Sequence, residues 1–568
     1  MELKLNKEML LGIFLLLVFI FGIVMRVFPL NQGDFSRDSP PNLNSNDVFW
    51  HTLLPRVVQD TEQIKYLPSY FTHGIEKVLF HYPSLFYVFS GSFSQLTLVP
   101  SYQVSYLFIC IFSVLISFYA FLLVRRAFGS LVASIVLALG VFCSSVFLFQ
   151  IDIGFWADLM AFLFISLSVL LLMEFLKRKN LVAPALIAFL FASAMAAHMW
   201  EAAYILYFIG INILFILFYG IKKNHLLRLA LFFVVFVLLI CPFAYFTGSF
   251  SGQSSGWFVP GKVWQPNDYM PKIPTPWYFL LFSAIGIVFG IYTLYKKGKE
   301  MDHWQFLALS FSLTIFIHAM SRFVGFSGGQ TTRQLFHGLS FLLIPFALGV
   351  YTVSSLIGNA LKSKWVAPAL IIILVGALAY LNYSETYKYL SLFDMYSFSD
   401  DTEFEAVRWI QANTSPDSKI FTLYGFEHGL GRLYKRPSFS SDTSDSKAGE
   451  NLYPICNKTI PNQYYALAHL MGLYNRQEKG YKVIDESGKI SFKSDSFVDE
   501  YYLDDQRAYY FPLTYFDYVV LQYAPDPRYA TDQDPYVCMI FYANTMIQEN
   551  KTRLVWKNDK MAILKVIK

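Results

Sequence analysis

The stretch that decides the fold runs from Tyr102 to Gln150 and reads YQVSYLFICIFSVLISFYAFLLV, then RRAF, then GSLVASIVLALGVFCSSVFLFQ. Residues 102–124 and 129–150 contain no charged side chain. As a helix, each run would be roughly 33 Å long, which is enough to cross a hydrocarbon layer of about 30 Å. Arg125 and Arg126 lie between the two runs. The stretch therefore predicts two consecutive membrane-spanning helices joined by a short basic loop.

Apolar runs of this kind recur through the first 384 residues. The chain is 55% hydrophobic and only 15% charged, against roughly 25% charge in soluble domains, which excludes a purely water-soluble protein. We expect eleven spans, or thirteen at most, because residues 80–98 are also apolar and we interpret them as lying in the membrane interface. The nine further runs are at about 8–28, 159–176, 181–199, 202–220, 226–246, 277–295, 303–321, 335–357 and 365–383.

Charge on the connecting loops predicts the orientation of the chain. Basic residues occupy every second loop, and cytoplasmic loops carry an excess of Lys and Arg. The amino terminus is therefore predicted to be cytoplasmic, and the long loop 30–101 and the tail 385–568 to be outside. The protein is expected in the cell membrane as a multi-pass chain. The basic groups are Lys4 and Lys7, Arg125 and Arg126, Lys177 to Lys179 with Arg178 between them, Lys222, Lys223 and Arg228, Lys296, Lys297 and Lys299, and Lys362 and Lys364.

The sequence divides into a transmembrane domain, residues 1–384, and an extracytoplasmic domain, residues 385–568. In the second, residues 403–410 have helical spacing, 419–424 and 518–523 are typical of strands, and 553–556 with 561–567 are typical of a hairpin. The fold class is thus a polytopic α-helical membrane protein with a C-terminal mixed α/β domain. Cys456 and Cys538 are the two cysteines of this tail; both a disulfide between them and two free thiols remain open.

The first outer loop contains a carboxylate and an imidazole with helical spacing. The segment Asn44 to His51 is typical of a capped helix start, and Asp47 and His51 are four residues apart, hence on one face. Such a pair could accept a proton or hold a divalent ion. The alternative is that Asp47 only caps the helix and His51 lies on the surface.

Two very short outer loops also carry acids at the predicted membrane surface. Asp152 and Asp158 lie between the third and fourth spans, and His198 and Glu201 lie in the turn after the fifth. Charge is costly beside hydrocarbon and is usually kept for function. The alternative for the two aspartates is a pair of solvated rim charges. Convergence of these loops predicts a catalytic site on the outer membrane face.

A basic constellation borders the flexible segment Gly328 to Thr332. Arg322 ends the ninth span, and Arg333 begins the tenth. The arginine side chain is suited to phosphate because its planar fork offers two donors and stays protonated. The alternative is that these side chains only extend to the lipid headgroups and bind no substrate.

This layout resembles the GT-C superfamily of integral membrane glycosyltransferases, which use polyprenyl-phosphate-linked sugars. The resemblance is carried by the early Asp47 of a long first loop, by the run His81-Tyr82-Pro83-Ser84-Leu85-Phe86-Tyr87, by the acids of the short turns, and by residues 406–416. Oligosaccharyltransferase catalytic subunits carry a Trp-Trp-Asp-Tyr-Gly motif, but residues 422–429 here read TLYGFEHG, and residues 323–332 contain no acid. The chain is therefore more similar to transferases of single sugars, of the dolichyl-phosphate-mannose-dependent or arabinose type.

The resemblance implies a direct displacement at the anomeric carbon. Asp47, with His51, Asp152 and Asp158, would form the catalytic group, and His81, Tyr82, His198, Glu201, Arg322 and Arg333 would bind substrate. A metal is optional; Asp47, Asp152 and Asp158 would suit Mg²⁺ or Mn²⁺. The expected partners are the lipid bilayer, a polyprenyl-phosphate-linked donor and a glycan, lipid or protein acceptor, with no nucleic acid. The alternative functions are that of a transporter or lipid flippase and that of a non-catalytic membrane anchor.

Overall fold

The computed structural model describes two compact units of the chain. One, the helical unit, comprises Met1–Phe35 and His81–Ser391; the other, the sheet unit, comprises Ser36–Phe80 and Leu392–Lys568. The residues that the structure describes are 7–31, 46–62, 66–67, 78–79, 85–142, 156–177, 181–198, 203–220, 223–247, 277–321, 342–393, 401–423, 435–436, 438–440, 474–475, 480–484, 490–494, 513–522, 543–544 and 546–568.

Each of the eleven apolar runs predicted from the sequence contains a described helix, and a short helix precedes the second run. The described helices of the helical unit are α1 (Lys7–Asn31), α3 (Leu85–Thr97), α4 (Ser101–Phe128), α5 (Ser130–Phe142), α6 (Trp156–Lys177), α7 (Val182–Ala197), α8 (Ala203–Tyr219), α9 (Lys223–Thr247), α10 (Trp277–Lys297), α11 (His303–Ser321), α12 (Leu343–Ala360) and α13 (Val366–Phe393).

Within the described residues, six helices are long and apolar enough to cross a membrane: α1, α4, α6, α9, α10 and α12. Apolar stretches of α5, α7, α8 and α13 are shorter. The predicted fold class, a polytopic α-helical membrane protein, is confirmed, whereas the count of eleven spans stays a prediction. The helix α3 has 13 residues, about 20 Å of axis, which is too short to span. It buries Phe86 and Tyr87 while exposing Phe89 and Phe93, as an interfacial helix would.

Small residues allow the helices to approach closely. The helix α7 buries Ala188, Ala192, Ala194 and Ala197, and it packs along α6. Without a hydrophobic driving force in lipid, helices associate through such close packing. The hairpin of α6 and α7 consequently brings the first turn of α6 beside the last turn of α7.

The described residues of the sheet unit include two α-helices and three sheets. Its helices are α2 (Asn46–Thr61) and α14 (Asp401–Asn413). Two short strands, β1 (Tyr66–Leu67) and β2 (Val78–Leu79), form one antiparallel pair. The remaining strands are β3 (Ile420–Leu423), β4 (Ser438–Ser440), β5 (Tyr474–Asn475), β6 (Gly480–Ile484), β7 (Ile490–Ser494), β8 (Tyr518–Gln522), β9 (Thr552–Lys557) and β10 (Met561–Val566).

The main sheet has the strand order β4-β3-β8-β10-β9 and is mixed. The strand β3 pairs parallel with β4 and β8, whereas β10 pairs antiparallel with β8 and β9. Its core includes Ile420, Val519 and Ile563, and Ala406 and Ile410 of α14 are buried as well. The predicted helix at 403–410, the strands at 419–424 and 518–523 and the hairpin at 553–567 are all present.

One feature of the division was not predicted from the sequence. Residues 36–80, which the sequence places in the first loop of the transmembrane domain, group with the C-terminal residues instead of the helices. An ion pair contributes to this grouping: the Lys435 ammonium lies 2.7 Å from the Asp60 carboxylate of α2. The proposed division into 1–384 and 385–568 therefore stays a prediction.

Candidate functional site

A buried contact between a carboxylate and an imidazole joins two of the residues singled out in the sequence. The Nδ1 atom of His198 lies 2.8 Å from Oδ1 of Asp158, and the two side chains are 1% and 2% exposed. Asp158 belongs to the first turn of α6, and His198 follows the last residue of α7. The two short outer loops thus meet at this pair, and Asp158 is not a solvated rim charge.

Local backbone structure explains why these two side chains meet. The amide of His198 donates to the carbonyl of Ala194 at 2.9 Å, while its extended backbone takes the chain out of the helix. The imidazole therefore lies at the carboxyl end of α7, where the helix dipole favours positive charge. The carboxylate of Asp158 lies at the amino end of α6, where the dipole favours negative charge. Both helix ends thus suit the type of side chain that they carry.

Aromatic rings pack beside the first turn of α6. Trp156 is fully buried, and its ring centroid lies 6.1 Å from that of Tyr106 in α4 and 6.5 Å from that of Phe86 in α3. Phe86 in turn contacts Tyr87. Aromatic side chains with a few placed polar groups are the usual lining of small-molecule sites. This combination surrounds the start of α6, from which Asp158 projects.

A buried arginine of α1 contacts the same group of aromatic residues. Arg26 of α1 is 2% exposed, and its guanidinium donates to main-chain carbonyls of α1 and α5. The sequence-based site did not include Arg26, Trp156 or Tyr106. The available signal for Arg26 was a charge well inside the first apolar run, which is expensive in a membrane.

The two predicted residues of the first loop lie in the sheet unit. Both Asp47 and His51 belong to α2, four residues apart, as expected. His51 is 4% exposed, so the alternative of a surface histidine is wrong.

The helix α2 also carries Asp60, which pairs with Lys435, and Lys435 directly precedes Arg436. The guanidinium of Arg436 donates to the Thr414 carbonyl at 2.9 Å.

Arg436 binds main-chain carbonyls at the carboxyl end of α14. Its Nη2 atom also donates to the Gln411 carbonyl at 3.0 Å, and Nε donates to the Thr414 hydroxyl at 3.1 Å. Burial lowers the pKa of the Arg436 guanidinium, and the carboxylate of Asp417 opposes this shift. The turn of Lys435 and Arg436 thus connects α2 to α14, which orients the helix that carries Asp47.

Several predicted site residues lie outside the described residues. These are His81, Tyr82, Asp152, Glu201, Arg322 and Arg333. Their assignment stays a prediction, as does the pairing of Cys456 with Cys538. Among the residues that the structure describes, no three Asp, Glu, His or Cys side chains are placed to hold a metal ion.

Comparison with solved structures identifies the fold. No protein-family model and no curated sequence matches the chain. An oligosaccharyltransferase from Archaeoglobus fulgidus aligns with a TM-score of 0.55 and 13% identity, over 97% of this chain and 88% of that one. ArnT from Cupriavidus metallidurans aligns with a TM-score of 0.54 and 11% identity, over 97% of both chains.

A third similar structure is the arabinofuranosyltransferase AftD from Mycobacteria. Its TM-score is 0.52 at 12% identity, over 97% of this chain but 40% of AftD. All three neighbours are GT-C membrane glycosyltransferases. The resemblance to the GT-C superfamily is therefore confirmed at the level of the fold.

Proposed function

We propose that the protein is a membrane glycosyltransferase, which moves a sugar from a polyprenyl-phosphate-linked donor to an extracytoplasmic acceptor. The observation that carries the proposal is the buried pair of Asp158 and His198 in a chain with the GT-C fold. One neighbour, ArnT, was also solved bound to undecaprenyl phosphate, which supports a lipid phosphate carrier for the donor.

The position of the charged pair favours a transferase over a transporter. Transporters usually keep their charged or broken-helix sites near the bilayer midplane. Here Asp158 is in the first turn of its helix and His198 is just beyond the end of its own. A scaffold without chemistry would give no reason to bury an aspartate and a histidine together, since burial of charge is costly.

The reaction is a direct displacement at the anomeric carbon. Asp47 takes the proton from an acceptor hydroxyl as the new C–O bond forms and the bond to the lipid phosphate breaks. Arg333, with Arg322 as a second candidate, stabilises the negative charge that gathers on the departing phosphate. Asp158 and His198 bind the donor beside the aromatic rings. The absence of a Trp-Trp-Asp-Tyr-Gly sequence favours transfer of a single sugar.

A divalent ion remains an optional part of this proposal. Asp158 is the one member of the predicted set Asp47, Asp152 and Asp158 whose carboxylate is described, and it contacts an imidazole. No step of the reaction is therefore assigned to a metal. If Mg²⁺ or Mn²⁺ is required, a chelator will abolish turnover and the added ion will restore it.

Asp47→Asn tests the role of Asp47. Asparagine is isosteric and can begin a helix as aspartate does, so the fold should persist. Turnover should fall by about 10² to 10⁴, the usual contribution of a general base. The assay is release of polyprenyl phosphate from a polyprenyl-phosphate sugar by the purified protein in lipid.

Asp302→Asn is the matched control for this experiment. The Asp302 carboxylate accepts the Trp304 amide at 2.7 Å at the start of α11, and asparagine can accept it too. This variant should keep wild-type turnover. A folded Asp47→Asn protein with wild-type turnover would remove Asp47 from the mechanism and make Asp152 the next candidate base.

A further inference from the structure

The guanidinium of Arg26 binds the carboxyl end of α5. Its Nη2 atom donates to the Gly140 carbonyl at 2.7 Å, and Nη1 donates to the Val141 carbonyl at 3.0 Å. The Gly22 carbonyl of α1 accepts a third bond at 3.0 Å. Helices leave their last carbonyls without internal partners, and the dipole makes that end negative. A buried cation is therefore well placed beside these carbonyls, and it ties α1 to the last described turn of α5.

The same residue is connected to the start of α6. The hydroxyl of Tyr106 donates to the Arg26 carbonyl at 3.2 Å, and the Tyr106 ring packs on Trp156. Trp156 precedes Asp158 by two residues in the first turn of α6. Arg26 thus contacts α5 through its side chain and Tyr106 through its main-chain carbonyl.

We propose that Arg26 is a positioning residue for the pair of Asp158 and His198. Its side chain ties α1 to the last described turn of α5, and this sets the position of the Arg26 main-chain carbonyl that holds Tyr106 against Trp156 in the first turn of α6, next to Asp158. Its effect on turnover rests on the proposed function, whereas its effect on the first turn of α6 does not.

Arg228 provides a matched control at the far end of α6. It is also buried, at 4% exposure, and it too donates only to main-chain carbonyls in the bonds described, those of Asn224 and Phe175. Phe175 follows Asp158 by 17 residues, which is about 25 Å along the helix. Loss of Arg228 should cost stability as loss of Arg26 does, without moving Asp158.

The experiment compares Arg26→Gln, Arg26→Lys and Arg228→Gln in lipid nanodiscs. For Arg26→Gln we expect kcat to fall about 10- to 100-fold with the donor KM nearly unchanged, because a small misplacement of a reacting group has effects of this size. Arg26→Lys should recover part of kcat, since the ammonium keeps the charge and some donors. Arg228→Gln should keep kcat within about twofold of wild type, well short of that misplacement effect.

Hydrogen–deuterium exchange of residues 156–162 provides a second readout that needs no activity. Exchange there should rise in Arg26→Gln and stay unchanged in Arg228→Gln. Unchanged exchange and kcat in folded Arg26→Gln would overturn the inference, and so would equal losses of kcat in Arg26→Gln and Arg228→Gln. If Arg26→Gln does not fold, the same two criteria apply to Arg26→Lys. If wild-type protein uses no polyprenyl-phosphate sugar, the proposed function fails and the exchange data alone decide the inference.

Discussion

At the scale of single residues, the Asp517 carboxylate binds two residues that are distant along the chain, Lys419 before β3 and Lys568 after β10. Its Oδ1 atom lies 2.6 Å from the Lys568 ammonium, and Oδ2 accepts the Lys419 amide at 2.9 Å. Burial acts to raise the pKa of Asp517, but the hydrogen bonds and charges of Lys568 and Lys419 outweigh it, so the pKa lies below 3.8. The folded state therefore favours the ionised carboxylate.

This lowered pKa predicts acid sensitivity of the sheet unit. The stabilisation is complete above pH 3.8 and is lost as the pH falls through the folded-state pKa. Asp517→Asn should lower the free energy of unfolding by about 1 kcal/mol at pH 7, a value reduced for partial exposure. Pulse proteolysis of the whole protein in urea measures this difference at each pH.

The difference in unfolding free energy between Asp517→Asn and wild type should shrink at lower pH, because protonation makes the wild-type side chain neutral, as asparagine already is. The control is Asp559→Asn, in the exposed turn between β9 and β10, which should behave as wild type at every pH. A constant difference between pH 7 and pH 3 would show that the charge of Asp517 does not stabilise the fold.

The sequence singled out Asp158 and His198, whose contact the structure shows, while their role in the reaction stays a prediction. Asp158 and His198 were identifiable because a carboxylate and an imidazole on very short loops are difficult to explain otherwise. Their direct contact follows from the packing of α6 on α7, which no spacing along the chain reveals. The burial of His51 was missed for the same reason, because four-residue spacing defines a helix face but not what covers it.

At the scale of elements, two glycines decide how α10 packs on α12. A Cβ atom on Gly349 would lie 1.9 Å from the Phe282 carbonyl oxygen, and one on Gly286 would lie 1.8 Å from the Pro345 carbonyl oxygen. Main-chain atoms cannot move aside as a flexible side chain can. The two helices are therefore in backbone contact, as small-residue motifs allow in membranes.

Gly349→Ala should separate α10 from α12 and destabilise the protein by about 3 kcal/mol, the upper range for overpacking. Gly210→Ala in α8 is the matched control, since nothing lies within 4 Å of the Cβ it would add. Thermal unfolding in detergent measures both variants. Equal melting temperatures for Gly349→Ala and Gly210→Ala would contradict the close approach.

Element positions were largely predictable, and their grouping was not. The apolar run 303–321 matches α11 residue for residue, because charged loops limit where a hydrophobic helix can begin and end. The hairpin of β9 and β10 was visible in its turn residues. The grouping of residues 36–80 with the C-terminal residues depends on contacts such as Asp60 with Lys435, more than 370 positions away along the chain, which local patterns do not encode.

At the scale of the whole molecule, loop charge predicts that residues 385–568 lie outside the cytoplasm. The test uses a cysteine-free background and one introduced cysteine, at the exposed Asp559 or at Lys299 in a loop predicted to be cytoplasmic. On intact cells, an impermeant thiol reagent should label the Asp559→Cys protein, whereas the Lys299→Cys protein should be labelled only after lysis. The reverse pattern would overturn the orientation and place the site on the other membrane face.

The central claim is that this fold transfers sugar at the pair of Asp158 and His198. The most direct measurement compares turnover of a polyprenyl-phosphate sugar by wild type and Asp158→Asn in lipid, with Asp302→Asn as the control. We predict measurable transfer by wild type and by the control, and a loss of about 10² or more in Asp158→Asn, the size expected when a preorganised charge is removed. A folded Asp158→Asn protein with wild-type turnover, or no transfer by wild type from any such donor, would contradict the claim.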